Sequence, residues 1–164
     1  MIPYGVAKFA AGRFSRIECE KLGIEHVWVR ILSVYGTNDL EQTLIKQLVN
    51  NAKTNTPMSL SGCEQTWDYL YEDDAGRAFV SIAQKGINGR IYNLGSGIGR
   101  KLKDFVDELI NMVNKDYKPE FGKYAYGNAQ PFVLQADISE LTNDTGWKPI
   151  VSFAEGIKKI NDNF

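Results

Sequence analysis

PYGVAKFAAGRFSRIECEKLGIEHVWVRILSVYG, residues 3–36, reads as a helix, a stop and a buried strand in succession. Pro3 suits the first turn of a helix, where a missing N–H is no loss. Val6, Phe9, Ala10, Phe14 and Ile17 recur at helical spacing to about Leu22, and Gly23 ends the run. Residues 26–32 (HVWVRIL) are β-rich and nearly all apolar, which suits a strand buried on both faces, as in parallel sheets. A turn around Gly36 closes the unit.

Outward from there the chain alternates between strand and helix. The patterns predict an amphipathic helix over 40–53, a short strand at 58–60, a strand at 67–71 and a helix over 75–85. A strand at 91–94, the glycine-rich turn GSGIG (95–99) and a helix over 102–114 follow. After a loop-rich stretch come a strand at 133–136, a short helix at 138–145 and a last helix from Phe153. A complete doubly wound nucleotide domain needs several more βα units at the front. The composition is globular, and the topology is that of part of a domain.

The 164 residues make about one domain, with a formal net charge of −1 and both signs mixed along the chain. That balance argues against a nucleic-acid partner held by a broad basic face. No stretch nears the roughly 18 unbroken apolar residues of a membrane span, so no membrane role is expected. Cys19 and Cys63 have no motif spacing and read as reduced thiols of a cytoplasmic protein. His26, the single histidine, excludes a histidine-rich metal site and suits a structural or solvent-facing role. Glu72, Asp73 and Asp74 invite a metal reading. Adjacent residues on a strand-to-helix turn diverge, however, and acidic groups are favoured at a helix N-terminus, so no metal is expected.

Tyr4 and Lys8 stand at positions i and i+4, on one helical face. An ammonium beside a phenol favours phenolate. A tyrosine that shuttles a proton, while hydride moves at the carbon bearing the same oxygen, needs that bias. The spacing alone is common. Its place, at the head of an amphipathic helix followed by glycine, a strand and VRILSVYG, makes it informative.

With these residues the sequence resembles the extended short-chain dehydrogenase/reductase family, the NAD-dependent epimerases and dehydratases of nucleotide sugars. The likeness runs through PYGVAKFAAG, VRILSVYG, WDYLYEDDAGRAF, IYNLGSG and ADISELTNDTGWKP, in order over nearly the whole chain. It implies an α/β fold: the C-terminal part of an extended Rossmann fold, with its last parallel strands and a small substrate-binding α/β subdomain, and without the N-terminal dinucleotide-binding half. Residues 1–36 are then a remnant of the Rossmann domain, and 37–164 mainly the substrate-binding subdomain with returning Rossmann elements.

The resemblance makes Tyr4 the catalytic acid/base and Lys8 the residue that biases it and holds the nicotinamide ribose. Leu32 and Ser33 match the segment that passes the nicotinamide and the sugar. Relatives commonly carry Asn at the Ser33 position, and the shorter serine either reaches the substrate or stops short of it. Gln42 falls where relatives place a polar substrate contact. The stretch 58–61, with Ser59 and Ser61, matches the short strand that lines the nucleotide base. Relatives usually read Arg-Asp-Phe where this chain reads Trp67-Asp68-Tyr69, and that arginine contacts the substrate diphosphate. An indole offers one donor and a stacking face in place of a planar fork, so Trp67 either stacks on the ligand or packs. Arg90 and Arg100 are candidate replacement cations, and 130–135 lacks the basic residue that several relatives show there.

The GSGIG turn lacks the spacing of a dinucleotide fingerprint and reads as a structural connection. Tyr92 and Asn93 read as buried strand residues, and Trp147 as the anchor of the last helix. The expected ligand is a nucleotide-diphosphate sugar, with NAD or NADP as cofactor of an intact enzyme. The chain by itself is expected to bind NAD weakly or not at all, to lack turnover, and to form a dimer or higher oligomer. EQTWDYLY looks closer to reductases or epimerases of deoxyhexoses than to hexose 4-epimerases. A non-catalytic remnant or sugar-nucleotide-binding module is the alternative.

Overall fold

The computed structural model describes residues 2–127 and 131–162. In chain order it holds α1 (Pro3–Leu22), β1 (Trp28–Ile31), β2 (Ser33–Tyr35), α2 (Leu44–Thr54), β3 (Thr66–Trp67) and β4 (Tyr69–Tyr71). Then come α3 (Glu72–Lys85), β5 (Ile91–Leu94), β6 (Arg100–Lys101), α4 (Leu102–Val113), α5 (Ser139–Thr145) and α6 (Phe153–Asp162). Proline opens α1 and Gly23 ends it at φ 68°, its N–H returning to the carbonyls of the last turn.

The expected strand 26–32 and its continuation split into two. β1 pairs in parallel with β5, from Trp28 opposite Ile91 to Ile31 opposite Leu94, while β2 pairs in parallel with β4. The expectation of burial on both faces is corrected: Trp28 and Val29 are half-buried, and Arg30 and Ile31 are exposed. Among the described residues β1 has a strand on one edge only. The amides of Trp28 and Leu32 donate to the carbonyls of Arg90 and Leu94. Alternation then turns the backbone groups of Val29 and Ile31 toward the other edge.

Other boundaries shift for local reasons. The predicted helix 40–53 begins at Leu44, because Thr43 turns its amide and hydroxyl onto the Leu40 carbonyl. The predicted strand 67–71 is broken at Asp68 into β3 and β4, and β3 pairs antiparallel with β6. In place of strands at 58–60 and 133–136 there are isolated bridges, Ser59 with Glu120 and Thr66 with Val133.

Two cores result. In the first, α4 packs between α2 and α6, burying Leu48, Leu109 and Ile157. Tyr35 joins this core and donates from its hydroxyl to the Phe153 carbonyl at 3.2 Å. In the second, α3 and α5 bury Leu70, Ala78, Tyr92, Leu94, Leu141 and Trp147. Trp147 therefore anchors α3 and not the last helix: its indole N–H donates to the Asp74 carbonyl at 3.2 Å. No helix among the described residues is long and apolar enough to cross a membrane.

Candidate active site

Tyr4 and Lys8 lie on one exposed face of the first turns of α1. The Lys8 ammonium is 5.6 Å from the centre of the Tyr4 ring, and Tyr4 is 68% exposed. The helix meets the sheet along a stripe of small and polar residues. Gly12 rests on the Trp28 indole, where a Cβ would lie 2.9 Å from a ring atom. The Ser15 hydroxyl is 2.9 Å from His26 Nε2, and Arg16 donates to the Gly89 carbonyl at 2.9 Å. His26 thus helps seat α1, and its ring stacks beside Trp28. Of the apolar set read from the sequence, Ala10 is half-buried and Val6, Phe9, Phe14 and Ile17 are exposed.

Leu32, Ser33 and Trp67 line one cavity of about 320 Å³, with Asp39, Leu44 and Tyr69. Leu32 and Ser33 reach it from the break between β1 and β2, and Trp67 and Tyr69 from either side of Asp68. Other expected contacts lie apart from this group. Gln42 is exposed in the turn before α2, where its carbonyl accepts from Gln47. The Ser59 hydroxyl donates to Glu120 at 3.3 Å, and Ser61 Oγ accepts from the Cys63 amide at 3.4 Å. Lys8 lines a second cavity, of about 300 Å³, between α1 and β1 with Arg13, Trp28 and Arg30.

Asp68 is the residue that sequence reading passed over. Its carboxylate is fully buried and accepts from Ser96 N at 2.7 Å, Ser96 Oγ at 2.6 Å, Gly97 N at 3.0 Å and Ala136 N at 3.0 Å. The two turn amides that a phosphate loop would offer are taken by a protein carboxylate. GSGIG is therefore a clamped connection. A carboxylate between two aromatics, with a Gly-Ser-Gly turn downstream, was the available signal. The acidic triplet diverges: Glu72 accepts from the Thr37 amide, Asp73 pairs with Lys159, and buried Asp74 accepts from the Ile150 and Val151 amides beside Arg77.

A model of the NAD dependent epimerase/dehydratase family matches residues 1–95. The chain belongs to that family. Among curated members it is 29% identical to human dTDP-D-glucose 4,6-dehydratase, over 96% of this chain and 46% of that protein. It is 28% identical to Escherichia coli dTDP-4-dehydro-6-deoxyglucose reductase, over 97% of this chain and 51% of the other. The UDP-glucose 4-epimerase of Thermotoga maritima superposes with a TM-score of 0.91 at 23% identity, over the whole chain and 53% of that structure. The chain spans about half the length of the curated relatives it matches. Its fold is the part of the extended short-chain dehydrogenase/reductase Rossmann fold that carries the last parallel strands and the small α/β subdomain.

Within this epimerase/dehydratase chain the two candidate cations separate. Arg90 pairs with Glu140 and Asp144 and lines the cavity beneath α1. Arg100 stands directly opposite Trp67 in the β3–β6 pairing. Gln130 lies outside the described residues, and Gln135 donates to the Gly97 carbonyl at 2.8 Å. Burial pushes the Tyr35 and Tyr69 phenols well above the usual tyrosine range and raises the Cys63 thiol. These groups stay protonated at neutral pH and are unsuited to proton transfer.

Proposed function

We propose that this chain carries the catalytic pair and the sugar-nucleotide pocket of an NAD(P)-dependent nucleotide-sugar epimerase, dehydratase or reductase. The observation that carries this reading is the Tyr4–Lys8 pair, exposed at the head of α1 in a chain of this family. The residues present fit one end of a dinucleotide: the Tyr4 hydroxyl and the Lys8 ammonium offer donors to a ribose, and Leu32 an apolar wall to the nicotinamide. They do not fit its pyrophosphate, because the Ser96 and Gly97 amides are held by Asp68. When bound, NAD or NADP supplies the hydride chemistry.

The chain's own residues manage the proton and the sugar. Tyr4 takes the proton of the reacting sugar hydroxyl and returns it, and the Lys8 ammonium stands beside it. The Ser33 hydroxyl hydrogen-bonds the sugar, and Trp67 offers a stacking face and one donor. Gln42 and the serines at 59 and 61 extend contacts toward the nucleotide. Residues 1–36 contribute the pair and 37–164 mainly the pocket. The chain by itself binds dinucleotide weakly and does not turn over.

The test supplies a dinucleotide-binding half from a relative in trans, with UDP-glucose or dTDP-glucose and NAD(P). Conversion is expected in the mixture and absent from either part alone, and Tyr4→Phe is expected to lower it about 10²–10⁴-fold. Stoichiometric NAD(H) on the purified chain, or Tyr4→Phe turnover at the unsubstituted rate, overturns the reading. A second reading, a sugar-nucleotide-binding module without turnover, is supported by the cavity that Leu32, Ser33 and Trp67 line together. Binding of the sugar nucleotide without conversion in the mixture favours it.

A further inference from the structure

We propose that Arg100 is the cation that seats the diphosphate of the ligand, swinging from Glu108 to the Trp67 cavity on binding. The inference rests on the sugar-nucleotide reading and names the residue that completes the pocket. The described residues lining the Ser33–Trp67 cavity include Asp39 and no lysine or arginine. A diphosphate entering such a cavity meets like charge and loses water without compensation, so a nearby cation must enter with it.

Arg100 meets the geometric requirement. Directly opposed residues of an antiparallel pair share a face, with Cβ atoms about 4.5–5.5 Å apart, and Arg100 opposes Trp67 in that way. Gly99 permits the approach, since a Cβ there would lie 2.9 Å from Thr66. Arg100 lines an adjoining cavity of about 330 Å³, and Tyr69 is the wall common to both. The guanidinium stacks over Phe105, 4.4 Å from the ring centre, and pairs with Glu108 at 2.6 Å. Both partners are about a third exposed, at 34% and 30%. Neither partner is sealed from water, and a guanidinium on a diphosphate makes paired, charge-assisted bonds. Arg90 cannot serve, because it lies in the cavity under α1.

The test is calorimetric titration of the chain, Arg100→Gln, Arg100→Lys and Glu108→Gln with UDP-glucose and dTDP-glucose, and with uridine and thymidine as phosphate-free probes. Arg100→Gln is expected to weaken the diphosphate sugars by roughly ten- to a hundredfold, the range for a lost charge-assisted bond, and to flatten the salt dependence. Nucleoside affinity should stay unchanged, and Arg100→Lys should recover part of the loss. Glu108→Gln, which frees the guanidinium, is expected to tighten diphosphate binding, a change that mere destabilisation would not produce. If Arg100→Gln and Glu108→Gln both bind the diphosphate sugars as the unsubstituted chain does, the inference falls and the sugar-nucleotide reading stands. If the unsubstituted chain binds neither diphosphate sugar, both fall.

Discussion

Asp68 and Asp74 are carboxylates with no solvent exposure, and each accepts from backbone amides far along the chain. Burying such a group without partners would cost several kcal/mol. With partners it ties distant segments together: Asp68 joins the β3–β4 break to the 95–99 turn and to Ala136. Asp68→Ala leaves three amides and the Ser96 hydroxyl without their acceptor. At about 1–3 kcal/mol for each buried group left unsatisfied, and allowing for water entering the gap, the expected loss is about 3–5 kcal/mol, as for breaking a buried pair. Asp68→Asn should lose less, because one oxygen remains while the new NH₂ opposes the other donors. Urea denaturation followed by circular dichroism measures both. An unchanged midpoint in Asp68→Ala would show that the turn does not depend on this carboxylate.

At the scale of elements, α1 is the piece most open to change. No residue of it is fully buried, and it is held by Gly12 on Trp28, Ser15 on His26 and Arg16 on Gly89. Gly12→Leu improves helix propensity by up to about 1 kcal/mol, yet its side chain must displace the indole, at about 1–3 kcal/mol of overpacking. Steric cost wins, and the helix lifts while both cores persist. Amide exchange in α1 is expected to quicken by about one to two powers of ten, with the main denaturation midpoint unmoved. Uniform loss of protection along the chain would contradict this. The same local logic explains what could be read in advance. The proline start and glycine stop of α1, the range of β5 and the start of α6 are carried by neighbouring residues. The exposure of β1, the loss of a strand at 133–136 and the Asp68 clamp depend on partners distant in sequence; the Asp68 contacts lie 28 and 68 residues away. A single window of sequence holds no signal for such partners.

The described residues close two cores and leave several large apolar side chains exposed. Phe9, Phe14 and Leu22 are 64%, 68% and 70% exposed on α1, and Ile31 is 54% exposed on β1. Beside them, the backbone groups of Val29 and Ile31 face an edge without a described strand. Exposed large apolar side chains and an open strand edge favour association, and a net charge of −1 offers little repulsion against it. The chain is therefore expected to be a dimer or larger species at tens of micromolar, measured by light scattering. Ile31→Lys puts a charge on the edge, and Phe9→Glu with Phe14→Glu puts two on the helix. If the edge carries the contact, Ile31→Lys alone yields monomer; if the helix does, the double variant is needed. Neither change touches the two cores, so far-ultraviolet circular dichroism should stay as it was. A monomer at high concentration in the unsubstituted chain would show that this surface is tolerated in water, and the expectation of self-association would be abandoned.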